Sequence, residues 1–224
     1  LKTLKWLGIG LFSILALMFL LPILFPGTIE EQVKKAANKS LDSKLDFSHS
    51  KLSFFTHFPS LTLSLDDLSL TGSAPYRNET LLKAKQVAFG INLVKLVFSN
   101  EIKIDALYVS EADINVKVNE LGQANYNIYI APKDQPKDST EEGTAIRLDK
   151  IDFENCHIKY RDRSAKVLVD AYGFNYLGKG DLSADVFDLR TDARIDSIDF
   201  YYDRVPYLKK KFVSADLITR INTN

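Results

Sequence analysis

The chain has 224 residues, with 29 basic and 29 acidic side chains and a formal charge of zero. That is room for one sizeable domain or two small ones, and the balanced charge offers no basic face to a nucleic-acid partner. One cysteine, Cys156, excludes an internal disulfide and a cysteine zinc site, and leaves the redox compartment open. The first residue is leucine, so the sequence is expected to be part of a longer chain that continues past residue 224.

Leu7 to Phe25 carries no charge over 19 residues. As a helix it would span about 29 Å, close to the hydrocarbon thickness of a bilayer. Lys2 and Lys5 precede it and Trp6 stands at its boundary, which predicts a single-pass anchor with a cytoplasmic N-terminus and the remainder across the membrane. A cleaved signal peptide would have a shorter apolar core and a small-x-small site, but "PGTIEEQ" follows instead. A buried core helix fits poorly, because the segment is apolar all round. Residues 1–27 are therefore assigned to the anchor.

Pro26-Gly27 breaks that helix, and Thr28 with Glu31 makes a capping box for another. Ile29, Val33, Ala36, Ala37, Leu41 and Leu45 recur at helical spacing, which predicts a short amphipathic helix over 28–46. Its weak stripe favours packing against protein over lying on a membrane surface.

From residue 47 the period becomes two. Leu61, Leu63 and Leu65 alternate with polar residues, as do Val87, Phe89 and Ile91, then Ile114, Val116 and Val118, then Val213, Ala215 and Leu217. This pattern predicts antiparallel strands with one face covered and one in water, over a single domain 47–224. "NLVKLVF", residues 92–98, reads as a short helical turn. "APKDQPKDSTEEGTA", residues 131–145, has prolines and charges but no large apolar residue, and reads as a mobile loop within the domain. "YGFNYLGKG" reads as turns.

One strand motif recurs: "LSLDDLSL" from Leu63, "IKIDALYV" from Ile102, "IRLDKIDF" from Ile146 and "ARIDSIDF" from Ala193, at offsets of 39, 44 and 47 residues. Each contains a step of three between apolar residues. In a regular strand that step reverses the face. A strand that keeps its apolar residues together must therefore bulge near Asp105-Ala106. A bend repeated in every unit curves the sheet into a trough. Leu61, Leu63, Leu65, Ile102, Ile104, Ile146 and Leu148 are the candidates to line it. The odd step leaves the face of Leu107, Val109, Ile151 and Phe153 undetermined.

No cluster for catalysis or metal binding is visible. His49, His57 and His157 show no metal-ligand spacing and read as surface or turn residues. Asp66-Asp67 and Glu141-Glu142 are adjacent pairs, which point to opposite faces of a strand and make poor acid–base partners. "LKKK", residues 208–211, reads as a solvated strand edge rather than a lipid contact. No nucleotide or hydrolase motif occurs, so no cofactor, no metal and no enzymatic activity are expected.

The order of these elements resembles the AsmA family of bacterial envelope proteins, which are related to TamB and to chorein-type bridge-like lipid transfer proteins. "FFTHFPSLTLSLDDLSLTG", with Phe55, Phe58 and Pro59, is similar to the family's opening strand pair. "LLKAKQVAFGINLVKLVFSNEIKIDALYVSEADINVKVNELGQANY" is similar to the segment that follows. Its end carries Gly122, Asn125 and Tyr126, with tyrosine where tryptophan is usual, and Ala112 stands where proline is frequent. The resemblance implies a mainly β protein of the bacterial inner membrane, with a transmembrane helix, a short amphipathic helix and repeated antiparallel strands forming a curved, groove-like β-taco sheet in the periplasm. It also implies a groove that shields and conducts phospholipid between inner and outer membrane, with phospholipid, the inner membrane and other envelope proteins as partners. The competing expectation is a membrane-tethered β-domain that serves as an assembly or protein-interaction scaffold. An outer-membrane barrel is disfavoured, because the strands lack aromatic girdles.

Overall fold

The computed structural model describes residues 41–57, 60–92, 104–130, 146–181 and 186–222, with Ala184 and five positions between 31 and 39. Among them a nine-stranded open sheet accounts for nearly the whole fold. The strands are β1 (Leu45–Asp46), β2 (His49–His57), β3 (Ser60–Thr71), β4 (Thr80–Ile91), β5 (Ile104–Val118), β6 (Ile146–Asp162), β7 (Val167–Lys179), β8 (Val186–Tyr202) and β9 (Val205–Asn222). From β3 to β9 they neighbour one another in chain order, and β1 and β2 lie end to end along the free edge of β3. The sheet is curved and does not close. The predicted anchor (1–27), the turn at 92–98 beyond its first residue Asn92, Ile102, Phe58, Pro59 and the loop 131–145 lie outside the described residues. Among the described residues no helix is long and apolar enough to cross a membrane.

The amphipathic helix is shorter than its apolar spacing implies. Glu31, Lys34, Lys35, Asn38 and Lys39 are helical, but Leu45–Asp46 form β1, and Leu41 bridges to Tyr129. The Asn38 amide turns the chain out of the helix. Its Oδ1 accepts from Leu45 N at 2.8 Å and its Nδ2 donates to Leu45 O at 3.0 Å, so it pairs with Leu45 as a neighbouring strand would. Leu41 and Leu45 still pack on the core, reaching it from an extended segment.

One strand pair departs from the antiparallel expectation. β5 and β6 run parallel, with Leu107 beside Ile151, Val109 beside Phe153 and Ile114 beside Ile158. A parallel pair needs a crossover of a dozen or more residues, and 119–145 supplies it. β5 has 15 residues, so the return path covers up to about 50 Å.

The bulge expected at Asp105 is present. Gly90 faces Ala106 while Ile91 faces Ile104, which leaves Asp105 as the extra residue. Ile104 and Leu107 therefore share a face. A second irregularity crosses the middle of the sheet. Asp67, Glu111, Asn155 and Gly173 have φ of 52°, 48°, 49° and 61°, in the left-handed region, and Lys210 in β9 has 49°. The first four interrupt their strands where apolar residues step by three: Leu65 to Leu68, Val109 to Ala112, Phe153 to Cys156, Ala171 to Phe174. β4 makes the same step from Ala84 to Val87, and β8 from Ile195 to Ile198. Asp67, Glu111 and Asn155 are spaced by 44 residues, so the kinks of β3, β5 and β6 stand in line. The kink in "LSLDDLSL" thus aligns with Glu111 and not, as the 39-residue offset suggested, with Asp105. "YGFNYLGKG" is not a set of turns but part of β7, with Gly173 at the crease. A Cβ there would collide with the Asp196 carboxylate.

Polar side chains bridge the strands along this crease. Lys51 Nζ and Gln86 Nε2 donate to the Asp66 carboxylate at 2.7 and 2.9 Å, and Lys85 pairs with Glu111 at 2.6 Å. Asn155 N donates to Asn175 Oδ1 at 2.9 Å, and Lys210 N to Asp199 Oδ1 at 2.7 Å. A separate clamp ties β5, β6 and β7. His157 Nδ1 lies 3.1 Å from Asp113 Oδ1 and Nε2 lies 2.6 Å from Asp170 Oδ1, with the ring stacked on Tyr172. His157 is therefore a partly buried strand residue and not a turn histidine.

The crease makes two measurable demands. A β-branched residue at a left-handed position is strained, so Glu111→Val should lower stability by about 1–2 kcal/mol, whereas Glu111→Gly should be neutral or stabilising. Equal loss in both variants, in denaturant titrations, would remove the backbone explanation. The hydrogen bond from Gln86, then that from Lys51, hold the Asp66 carboxyl below its ordinary value of 3.8. Its folded pKa is depressed, so its contribution is full above the ordinary value and lost as pH falls below it through the depressed one. Asp66→Asn should melt below the native chain at neutral pH, and the gap should close in acid as pH falls through the depressed value; a gap that persists below it contradicts the linkage.

Candidate functional site: an apolar face covered at one end

Cross-strand pairing sorts the apolar side chains into rows that run across the strands. One row is Leu65, Val87, Val109, Phe153, Tyr176, Ala193 and Ala215. Another is Leu70, Leu82, Ile114, Ile158, Ala171 and Ile198. The candidates Leu61, Leu63 and Leu65 share this face with Ile104, through Ile91, Phe89 and Val87. Leu107 and Val109, whose side the sequence left open, face the same way. Ile146 and Leu148 lie in β6, and Phe55 in β2.

Burial along these rows is uneven. Leu65 is 2% exposed and sits in a core cluster with Phe47, Leu68, Leu70, Val87, Val109 and Cys156, against which Leu41, Leu45 and Ile128 also pack. Phe47, Leu41, Leu45 and Ile128 thus cover the apolar residues at β3 to β5. Burial raises the Cys156 thiol above its ordinary value, which leaves it an inert packing group. From β6 onward no described segment covers the face. Phe153, Phe174 and Tyr176 form an aromatic cluster with ring centroids 5.8–6.3 Å apart and are only partly buried. Beyond them Leu217 is 44%, Tyr202 49% and Tyr207 62% exposed.

The reverse face of the same strands is charged. In β8, Phe187, Leu189, Ala193 and Ile195 alternate with Asp188, Arg190, Asp192, Arg194 and Asp196. A few apolar residues also point that way, among them Phe212, whose ring lies under the Arg194 guanidinium at 5.3 Å. The lysines 209–211 are exposed in β9, the last strand of the sheet, where charge discourages further pairing. Among the described residues no group of three His, Cys, Asp or Glu could hold a metal ion.

A family model, AsmA family, matches residues 1–179, which ends at the last residue of β7. The chain belongs to the AsmA family. No curated protein matches it. The motif residues at the end of the AsmA-like segment have clear physical roles. Gly122 adopts φ 76° in the turn after β5, where it donates to Asn119 O. Asn125 is completely buried, its Oδ1 accepting from Lys117 N at 2.9 Å and its Nδ2 donating to Asn115 O at 2.7 Å. Its backbone oxygen also accepts from Ser73 N, and its Cβ would stand 2.9 Å from a Cβ placed on Gly72. Asn125 therefore locks the β3–β4 hairpin to the end of β5. Tyr126 is half exposed.

Asn125→Ala would leave a buried N–H and C=O unpaired, and should cost about 2–4 kcal/mol. Tyr126→Trp should stay within about 0.5 kcal/mol of the native chain. Chemical denaturation checks both, and a neutral Asn125→Ala would discount the lock.

Proposed function

We propose that this AsmA-family chain shields phospholipid acyl chains along its apolar rows, as an inner-membrane-anchored conduit between inner and outer membrane. The observation that carries the proposal is a single-layered sheet whose apolar face, among the described residues, has no cover over β6 to β9. A sheet that only scaffolded protein assembly would be expected to seal that face with a second layer, as sandwiches do. The family supports a role in the envelope. Lys2 and Lys5 ahead of the uncharged 7–25 segment support a cytoplasmic N-terminus and a periplasmic β-domain.

The dimensions suit the task. Strands sit about 4.8 Å apart, so three spacings from β6 to β9 give about 14 Å of open row. A bilayer core of about 30 Å holds two opposed tails, hence about 15 Å for each. Each buried methylene contributes about 0.8 kcal/mol, so acyl binding needs only apolar area. The reading needs no catalysis, and the charged reverse face keeps the sheet soluble. Leu61 and Leu65, buried by the chain's own side chains, belong to the closed end of the trough. Phe174, Ile195, Val213 and Leu217 line its open part.

A photo-crosslinking residue at Ile195 or Leu217 should capture phospholipid in cells, whereas one at Leu65 should not. Ile195→Asp should fold and lose lipid capture, because an open face can hydrate the charge. Leu65→Asp should unfold the domain at a cost of several kcal/mol. Capture of envelope protein without lipid at both open positions would favour the scaffold.

A further inference from the structure

At the hairpin end of the sheet, off the apolar face, the turns after β6 and β8 enclose a depression of about 790 Å³. Arg161, Arg163, Lys166 and Arg204 stand in its wall against Glu120, Asp162 and Asp203. The carboxylates are largely committed. Asp203 pairs with Lys166 at 3.1 Å, and Asp162 accepts from Ser164 Oγ at 2.7 Å, Ala165 N at 2.8 Å and Tyr160 Oη at 3.0 Å. Arg161, Arg163 and Arg204 make no ion pair among the described residues. Three guanidinium groups thus face one cavity with their donors free.

Arg204 stands there against its backbone preference. The two-residue loop Asp203-Arg204 has φ of 47° and 68°. A turn with both central residues left-handed favours Asn-Gly or Asp-Gly, because glycine adopts the second position without strain. An arginine held in that conformation beside two others is a local cost that a bound anion would explain. Val167, Leu168 and Tyr201 add an apolar wall next to the guanidiniums. We propose that this depression binds a phosphate ester, with Arg161, Arg163 and Arg204 as its donors. Guanidinium forks match phosphate oxygens in pairs, and the apolar wall suits the glycerol of a phospholipid headgroup. Two sources share this chemistry, a lipid headgroup and free phosphate. The site lies outside the apolar rows and stands whether or not those rows carry acyl chains.

Calorimetric titration of the full chain with glycerophosphoglycerol, the deacylated headgroup of phosphatidylglycerol, and with inorganic phosphate tests the proposal. Saturable binding should weaken about tenfold or more in Arg161→Gln/Arg163→Gln/Arg204→Gln. Arg204→Gly relieves the turn, so its melting temperature should hold or rise while binding still falls several-fold. That variant separates loss of a ligand group from loss of fold. Tighter binding of the diester assigns the site to lipid headgroups, and equal or tighter binding of inorganic phosphate assigns it to free phosphate. No saturable binding of either probe, or unchanged affinity in the triple variant, overturns the site. Crosslinking of acyl chains at Ile195 in the same variants should persist, so failure here is distinct from failure of the apolar rows.

Discussion

Every long strand of this sheet must place apolar residues on one face across a break in its own alternation. The side-chain period of a strand is two, so a step of three would send half of each strand's apolar residues into water. The chain avoids this with a left-handed residue or a local skip in each strand, aligned along one crease. The crease costs backbone strain and interrupts the ladder of hydrogen bonds. Asp66, Gln86, Glu111, Asn175 and Asp199 restore part of what is lost by bonding across strands or to backbone groups. Kinks aligned across neighbouring strands bend the sheet as a whole, which lets one layer enclose a trough.

A single layer with one apolar face has a solvation problem that most β proteins solve with a second sheet. Here the solution is graded. Phe47, Leu41, Leu45 and Ile128 cover the face at β3 to β5, where Leu65 and Val109 are as buried as any globular core. Over β6 to β9 no described segment takes their place, and partly exposed aromatics take over. The covered end anchors the fold, and at the other end apolar area stays at the surface of the described residues. The reverse face, dense in Asp, Arg and Lys, keeps such a surface in solution without a partner layer.

Local physics was legible in the sequence, and long-range pairing was not. Alternation at Leu61, Leu63 and Leu65 marked a strand face, and the odd step after Ile104 marked the bulge at Asp105, because both follow from a period of two. The parallel pairing of β5 and β6 left no local trace. Its sole sign was the length of 119–145, which reads equally well as an inserted loop. The mid-sheet crease was hidden because glutamate, aspartate and asparagine occupy left-handed positions that glycine would have advertised. Gly173 was visible but suggested a turn, since a glycine between aromatic residues carries no information on what packs against it. Asn125 was recognisable through the family motif alone. Its burial depends on Asn115 and Lys117 at the end of β5 meeting Gly72 from the β3–β4 hairpin.

The parallel junction also explains how the unit is reused. Leu65, Val109 and Phe153 fall in one row, spaced by 44 residues, although β3 and β5 are separated by an antiparallel strand while β5 and β6 touch directly. The same phase therefore arises by two routes, a β-hairpin and a long crossover, and the row does not distinguish them. What must be conserved along the trough is the position of the crease relative to the apolar pairs, not the direction in which the chain arrives. The crossover has a second consequence. After the chain leaves β5 at the hairpin end, Asn125 pairs with the end of β5 and Ile128 then packs on the apolar core. The segment that makes the parallel pair possible is thus also part of the segment that closes the trough at its β3 to β5 end, and the open rows start with the strand that follows it.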